Sequence, residues 1–167
     1  MRYFGGKVGL LEALFEDAWQ HLNTRVERAL KTATGPRESL LDAIQAVVSV
    51  LARDSDLATL LLFEGRRLRG DKPRPRIARG FVAFSDTVRR LVRQAQAAGD
   101  IDPELDTSAV TSALLGAAES LIRDRLVAKS GGGRGFAERE IRRTLDSMLG
   151  GLHHPAGASR THTVKKR

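Results

Sequence analysis

The chain has 167 residues, 28 lysines plus arginines against 20 aspartates plus glutamates, and no cysteine. Its length fits one domain of the usual ~100–200 residues, and the missing thiols exclude disulfide scaffolds, cysteine-ligated zinc and thiol chemistry. No apolar run reaches the ~18 residues of a membrane span, and the Met1-Arg2-Tyr3-Phe4-Gly5 start lacks the apolar stretch of a signal peptide, so a soluble cytoplasmic protein is expected.

The net charge of +8 hints at nucleic acid or another acidic surface, but the charge is local. Residues 1–65 carry a net −2, residues 66–93 a net +8, residues 94–152 a net −2 and the tail 153–167 a net +4. The densest stretch, Arg66-Arg67-Leu68-Arg69-Gly70-Asp71-Lys72-Pro73-Arg74-Pro75-Arg76, reads as a loop, because each proline turns its predecessor away from helix. It holds no aromatic residue to stack on a base. A solvated connection and a phosphate or membrane contact both remain open for it.

In chain order, Leu11, Phe15, Ala18, Leu22, Val26 and Ala29 recur at spacings of 4 and 3 and predict a first amphipathic helix. Gly35-Pro36 breaks it, and Pro36 suits the first turn of a second helix with the stripe Leu40, Ile44, Val47 and Leu51. Asp54 or Ser55 can cap a third, carrying Leu57, Leu60, Leu61 and Glu64. After the basic loop, Ile77, Phe81, Phe84, Val88, Leu91, Ala95 and Ala98 give the cleanest helical period, which Gly99 ends. Asp106 or Thr107 caps a fifth helix running to about Lys129, and a sixth follows the Gly-rich 130–135 loop with Ile141, Leu145, Met148 and Leu152 on one face. Residues 153–167 show no periodicity and are expected to be disordered. No segment alternates as a strand does. The expected architecture is an all-α bundle of about six helices.

Two faces stand out. On the fifth helix Ala109, Ala113, Gly116, Ala117 and Ser120 place small side chains together, and a mid-helix glycine costs ~1 kcal/mol against alanine, so Gly116 suggests a packing reason. With Leu114, Leu121 and Ile122 on adjoining faces, this helix is expected to be covered on more than one side. It and the sixth helix either complete one monomer's core or form half of a four-helix bundle with a second copy. The interface candidates are Ala109, Ala113, Gly116, Ser120, Ile141, Leu145, Met148 and Leu152. The second face is aromatic. Phe15, Trp19, Phe63, Phe81 and Phe84 lie on three helices and either line a cavity, with Gln20, His21, Glu64 and Ser85 as polar groups, or are ordinary core.

Catalytic chemistry finds no foothold. His21 stands alone, His153, His154 and His162 sit in the tail, and no metal-ligand spacing or nucleophile–base arrangement is present. Neither an enzyme, a metal nor a cofactor is expected.

The segment Arg2-Tyr3-Phe4-Gly5-Gly6-Lys7-Val8-Gly9-Leu10-Leu11 resembles the junction between the DNA-binding and regulatory halves of the TetR/AcrR family of bacterial transcriptional regulators. There an aromatic pair closes the recognition helix, a small-residue turn follows, and then a lysine, an acidic residue and Leu-Leu. The match holds at Tyr3, Phe4, Gly5, Gly6, Lys7, Leu10 and Leu11 and departs at Val8, where glutamate is usual. The six helices and the Gly99–Leu105 connection agree with it, over about residues 2–152. The resemblance implies a ligand-responsive regulator, a repressor by expectation: residues 1–8 a remnant of the DNA-binding domain with Tyr3 and Lys7 as backbone contacts, 9–152 an effector-binding and dimerisation domain, 153–167 a basic tail. It implies a homodimer through the last two helices and a small hydrophobic effector. It places the helix-turn-helix ahead of residue 2, so operator DNA is a partner only if that head belongs to the full protein. The alternatives are a headless dimerisation or ligand-binding module, and a helical protein binding nucleic acid non-specifically through the 66–79 loop and the tail.

Overall fold

The computed structural model describes residues 6–64, 79–133 and 135–153, and for residues 6–8 and 64 the backbone alone. These residues form six α-helices and no strand. They are α1 (Gly6–Leu30), α2 (Pro36–Arg53), α3 (Ser55–Thr59), α4 (Arg79–Ala98), α5 (Thr107–Ser130) and α6 (Glu138–Gly151). A π-helical turn, Leu60–Glu64, continues α3.

Local chemistry explains most of the boundaries. Pro36 opens α2, where its missing N–H is no loss. The Asp54 carboxylate accepts the Leu57 N–H at 2.9 Å and starts α3, and Asp106 accepts the Ala109 N–H at 2.8 Å and starts α5. Gly99, at φ 81°, ends α4, with its N–H donating to the Gln96 carbonyl and the Asp100 N–H to the Ala95 carbonyl. That double closure needs a left-handed residue, and glycine supplies it without steric cost. The third predicted helix comes out in two pieces. Leu60, Leu61, Leu62 and Phe63, in the π turn, are all half-buried.

α2 lies at the centre and packs against α1, α4, α5 and α6. Leu22 of α1, Leu40, Ile44 and Val48 of α2, Val88 and Val92 of α4, Leu114 of α5, and Ile141, Leu145 and Leu149 of α6 meet in one core. Full burial of each such side chain stabilises the fold by roughly 1.5–3 kcal/mol. The α4–α5 connection is part of this core: Ile101 is fully buried, and the Asp102 N–H donates to the Leu152 carbonyl at 2.9 Å beyond α6. Gln96 closes the same loop, donating to the Leu105 carbonyl at 2.8 Å and accepting from the Thr107 hydroxyl at 2.8 Å.

Outside the core, α6 is tied to α2 by charge. Arg142 reaches Glu38 and Asp42 at 2.8 Å each, and Arg37 reaches the Asp146 carboxylate at 2.6 Å and the Asp146 carbonyl at 2.7 Å. These groups are solvated, so the pairs fix orientation more than they add stability.

Candidate functional site

The aromatic face is built where α1 crosses α4. Trp19 lies 5.2 Å from Phe81 in an edge-to-face arrangement and 5.6 Å from Phe84 in a stacked one. Both geometries suit the ring quadrupole and contribute ~0.5–1.5 kcal/mol beyond area burial. Phe84 is buried, Trp19 and Phe81 half-buried. Phe15 is buried one turn before Trp19. Phe63, in the π turn, packs on the core without a ring contact to the others.

The helices approach closely here because residue 80 is glycine. A Cβ on Gly80 would stand 2.3 Å from the Trp19 Cβ and 3.3 Å from the Trp19 carbonyl carbon, so no side chain fits without moving the backbone. Two α1 side chains fasten the start of α4 beside it. Asn23 donates its amide to the Gly80 carbonyl at 2.9 Å, and the Glu16 carboxylate accepts the Arg79 N–H at 3.1 Å. A carboxylate at a helix start also matches the positive end of the helix dipole. Sequence reading passed over Gly80, Asn23 and Glu16. The one available signal was a glycine inside an otherwise regular helical stripe, the same signal read at Gly116.

Of the expected polar lining, the Glu64 side chain lies outside the described residues, and Gln20 and His21 do not face the rings. Gln20 faces a groove of ≈ 540 Å³ between α1 and α4, and His21 faces another of ≈ 410 Å³ between α1 and α2. Neither groove is lined by any of the five aromatics. Ser85 is half-buried on α4. Among the described residues the rings pack on one another as a seam where α1 crosses α4, apart from both grooves.

The interface candidates fall into two groups. Ala109, Ala113, Gly116 and Ser120 are exposed along one side of α5, opposite the face that buries Val110, Leu114, Ala118, Ile122 and Leu126. A Cβ on Gly116 would meet nothing within 4 Å, so the described residues supply no packing reason for that glycine. On α6, Met148 is 37% exposed and Leu152 half-buried. Ile141 and Leu145 correct the expectation: at 0% and 1% exposure they are held inside the core of one chain and have no surface to offer a second. The apolar stripe that suggested them is α6's core-facing side.

Lys7 is the second residue of α1, and no backbone break separates it from residue 9. Tyr3, nearly all of the 66–79 loop and the tail beyond His153 lie outside the described residues. No helix among the described residues is long and apolar enough to cross a membrane, and no three of their His, Asp or Glu side chains could together hold a metal ion.

Comparison with known proteins meets this geometry at its centre. The family model described as "Tetracyclin repressor-like, C-terminal domain" matches residues 33–123, more than half of the chain. The chain belongs to the tetracyclin repressor-like C-terminal domain family. The matched segment runs from just before α2 to the last third of α5, so it holds the central helix, the Gly80 seam's α4 side and the small-residue face. A solved structure titled "Structure of a protein with unknown function from Rhodococcus sp. RHA1" superposes with a TM-score of 0.66 at 27% identity, covering 92% of this chain and 77% of that one. No curated protein matches. The first expectation of a TetR-type regulatory domain in an all-α bundle thus holds in both family and fold.

Proposed function

We propose that this chain is the effector-binding and dimerisation part of a ligand-responsive transcriptional repressor of the TetR type, that its effector is small and apolar, and that its ligand site is the aromatic seam of Phe15, Trp19, Phe63, Phe81 and Phe84. The observation that carries the reading is the continuity of α1. One 25-residue helix bears Lys7, Leu10 and Leu11 of the junction motif near its start and Trp19 in its middle, Lys7 and Trp19 about 18 Å apart at 1.5 Å per residue. An apolar ligand entering the seam must part Trp19 from Phe81 and Phe84, which moves α1 against α4. That motion reaches the junction, and with it the spacing of any DNA-reading heads carried by a dimer. The ligand shifts the equilibrium only by its differential affinity for the two arrangements.

The second copy docks on the exposed face of α5. Ala109, Ala113, Gly116 and Ser120 let a helix approach closely, and Met148 and Leu152 extend the contact onto α6. The family membership supports both parts of the reading. The headless alternative differs only in lacking a helix-turn-helix ahead of residue 2, and the coding sequence upstream decides it.

Trp19 is the sole tryptophan, so its fluorescence reports the seam directly. A panel of apolar small molecules is expected to contain members that quench Trp19 emission and raise the melting temperature, by ~2.7 kcal/mol of stabilisation at a hundredfold excess over Kd. Phe81→Leu and Trp19→Leu should lose that stabilisation, while Val82→Ala, exposed on the neighbouring face, keeps it. An unchanged ligand response in both seam variants would remove the assignment.

A further inference from the structure

The groove between α1 and α2 is unlike the seam. His21, Arg25 and Arg28 stand at positions i, i+4 and i+7 of α1, so they form one line of exposed side chains. Arg53, at the end of α2, lines the same groove from the other side. Arg25 and Arg28, three residues apart, repel within the helix. Arg25 and Arg28 have no carboxylate partner among the described residues. Asp54 lines the groove as well, and Glu138 pairs with Arg53 at its edge. Asp54 caps α3 through the Leu57 N–H, and Glu138 accepts from the Ser49 hydroxyl at 2.7 Å and meets highly exposed Arg53 only at 3.7 Å. Arg37 of α2, by contrast, is paired with Asp146 of α6. Three arginines and a histidine from two helices thus line one groove.

Its shape suits a small molecule. The volume of ≈ 410 Å³ lies within the range of ligand sites. Ala46 and Val50 give it an apolar floor. Guanidinium groups arriving from two helices ask for an acceptor with oxygens facing several directions, which a tetrahedral phosphate has and a planar carboxylate lacks.

We infer that the α1–α2 groove is a binding site for a small phosphate monoester, with Arg25, Arg28 and Arg53 holding the phosphoryl group, His21 adding a donor, and Ala46 and Val50 seating the organic part. The site lies on the far side of α1's crossing with α4, and does not depend on the seam's being the effector site.

The test uses the purified chain with phenyl phosphate and inorganic phosphate as probes, titrated calorimetrically at constant ionic strength. Phenyl phosphate should bind saturably at one site per chain, and inorganic phosphate more weakly. Arg25→Gln, Arg28→Gln and Arg53→Gln should each weaken phenyl phosphate by about tenfold or more, the loss of a charge-assisted hydrogen bond. All three side chains are exposed, so the variants should fold with an unchanged or slightly raised melting temperature. The double variant Arg139→Gln/Arg143→Gln, exposed on α6, should bind as the parent does. The inference is overturned if no binding survives at matched ionic strength, if the α6 variant loses as much as the groove variants, or if a random-sequence DNA duplex binds through the three arginines and phenyl phosphate does not.

Discussion

Two glycines in the middle of this bundle face opposite situations. Gly80 of α4 is pressed against Trp19 of α1, with no room for a methyl group. Gly116 of α5 looks onto open space, with nothing within 4 Å of where a methyl would be. Both cost helix propensity. The first cost is offset inside the chain by a close helix crossing and its ring stack. The second is offset by nothing among the described residues, and a close approach by a second molecule would account for it. Gly80 thus marks a close contact inside the chain, and Gly116 marks none among the described residues.

Mutations can break this contrast. The largest effect is expected on the inner side of α5, where Leu114→Ala empties a fully buried site and should lower stability by ~2–5 kcal/mol in urea unfolding. A small loss would mean that α5 is not anchored as described. Gly80→Ala should follow, at ~1–3 kcal/mol, since the added methyl forces the α1 and α4 backbones apart. Trp19 emission should change with it, reporting the opened ring stack. Asp106→Ala removes the N-cap of α5 and should cost about 1 kcal/mol. Gly116→Ala should have the opposite sign in an isolated chain, a gain of ~0.5–1 kcal/mol. If α5 meets a second copy, that gain appears in dilute protein and vanishes as concentration rises, because dimer stability depends on concentration. At the small end, Asp146→Ala cuts the half-exposed pair with Arg37 and should shift stability by under ~1 kcal/mol.

The sequence pattern carried the bundle well, because each helix shows its core face as a stripe of period 3.6 and its ends as caps. Asp106, Pro36 and Gly99 act as their positions predict. The π turn was not legible, since Leu60 to Phe63 read equally well as one more turn of α-helix. Of the site, Trp19, Phe81 and Phe84 were found as a group, but pattern alone does not tell a filled seam from an empty pocket. Gln20 and His21 are neighbours in sequence and yet point into different grooves, 100° apart around the helix. Ile141 and Leu145 show the reverse problem: an apolar stripe is the same whether it meets its own chain or another. The small residues of α5 lie on the side away from the core face that Leu114 and Ile122 supply.

The most direct measurement of the central claim is sedimentation equilibrium of the parent chain beside Gly116→Leu. The account predicts twice the 18.2 kDa chain mass for the parent and the single-chain mass for the variant, with helix content unchanged. A parent that sediments as one chain, or a variant that keeps the doubled mass, would contradict it.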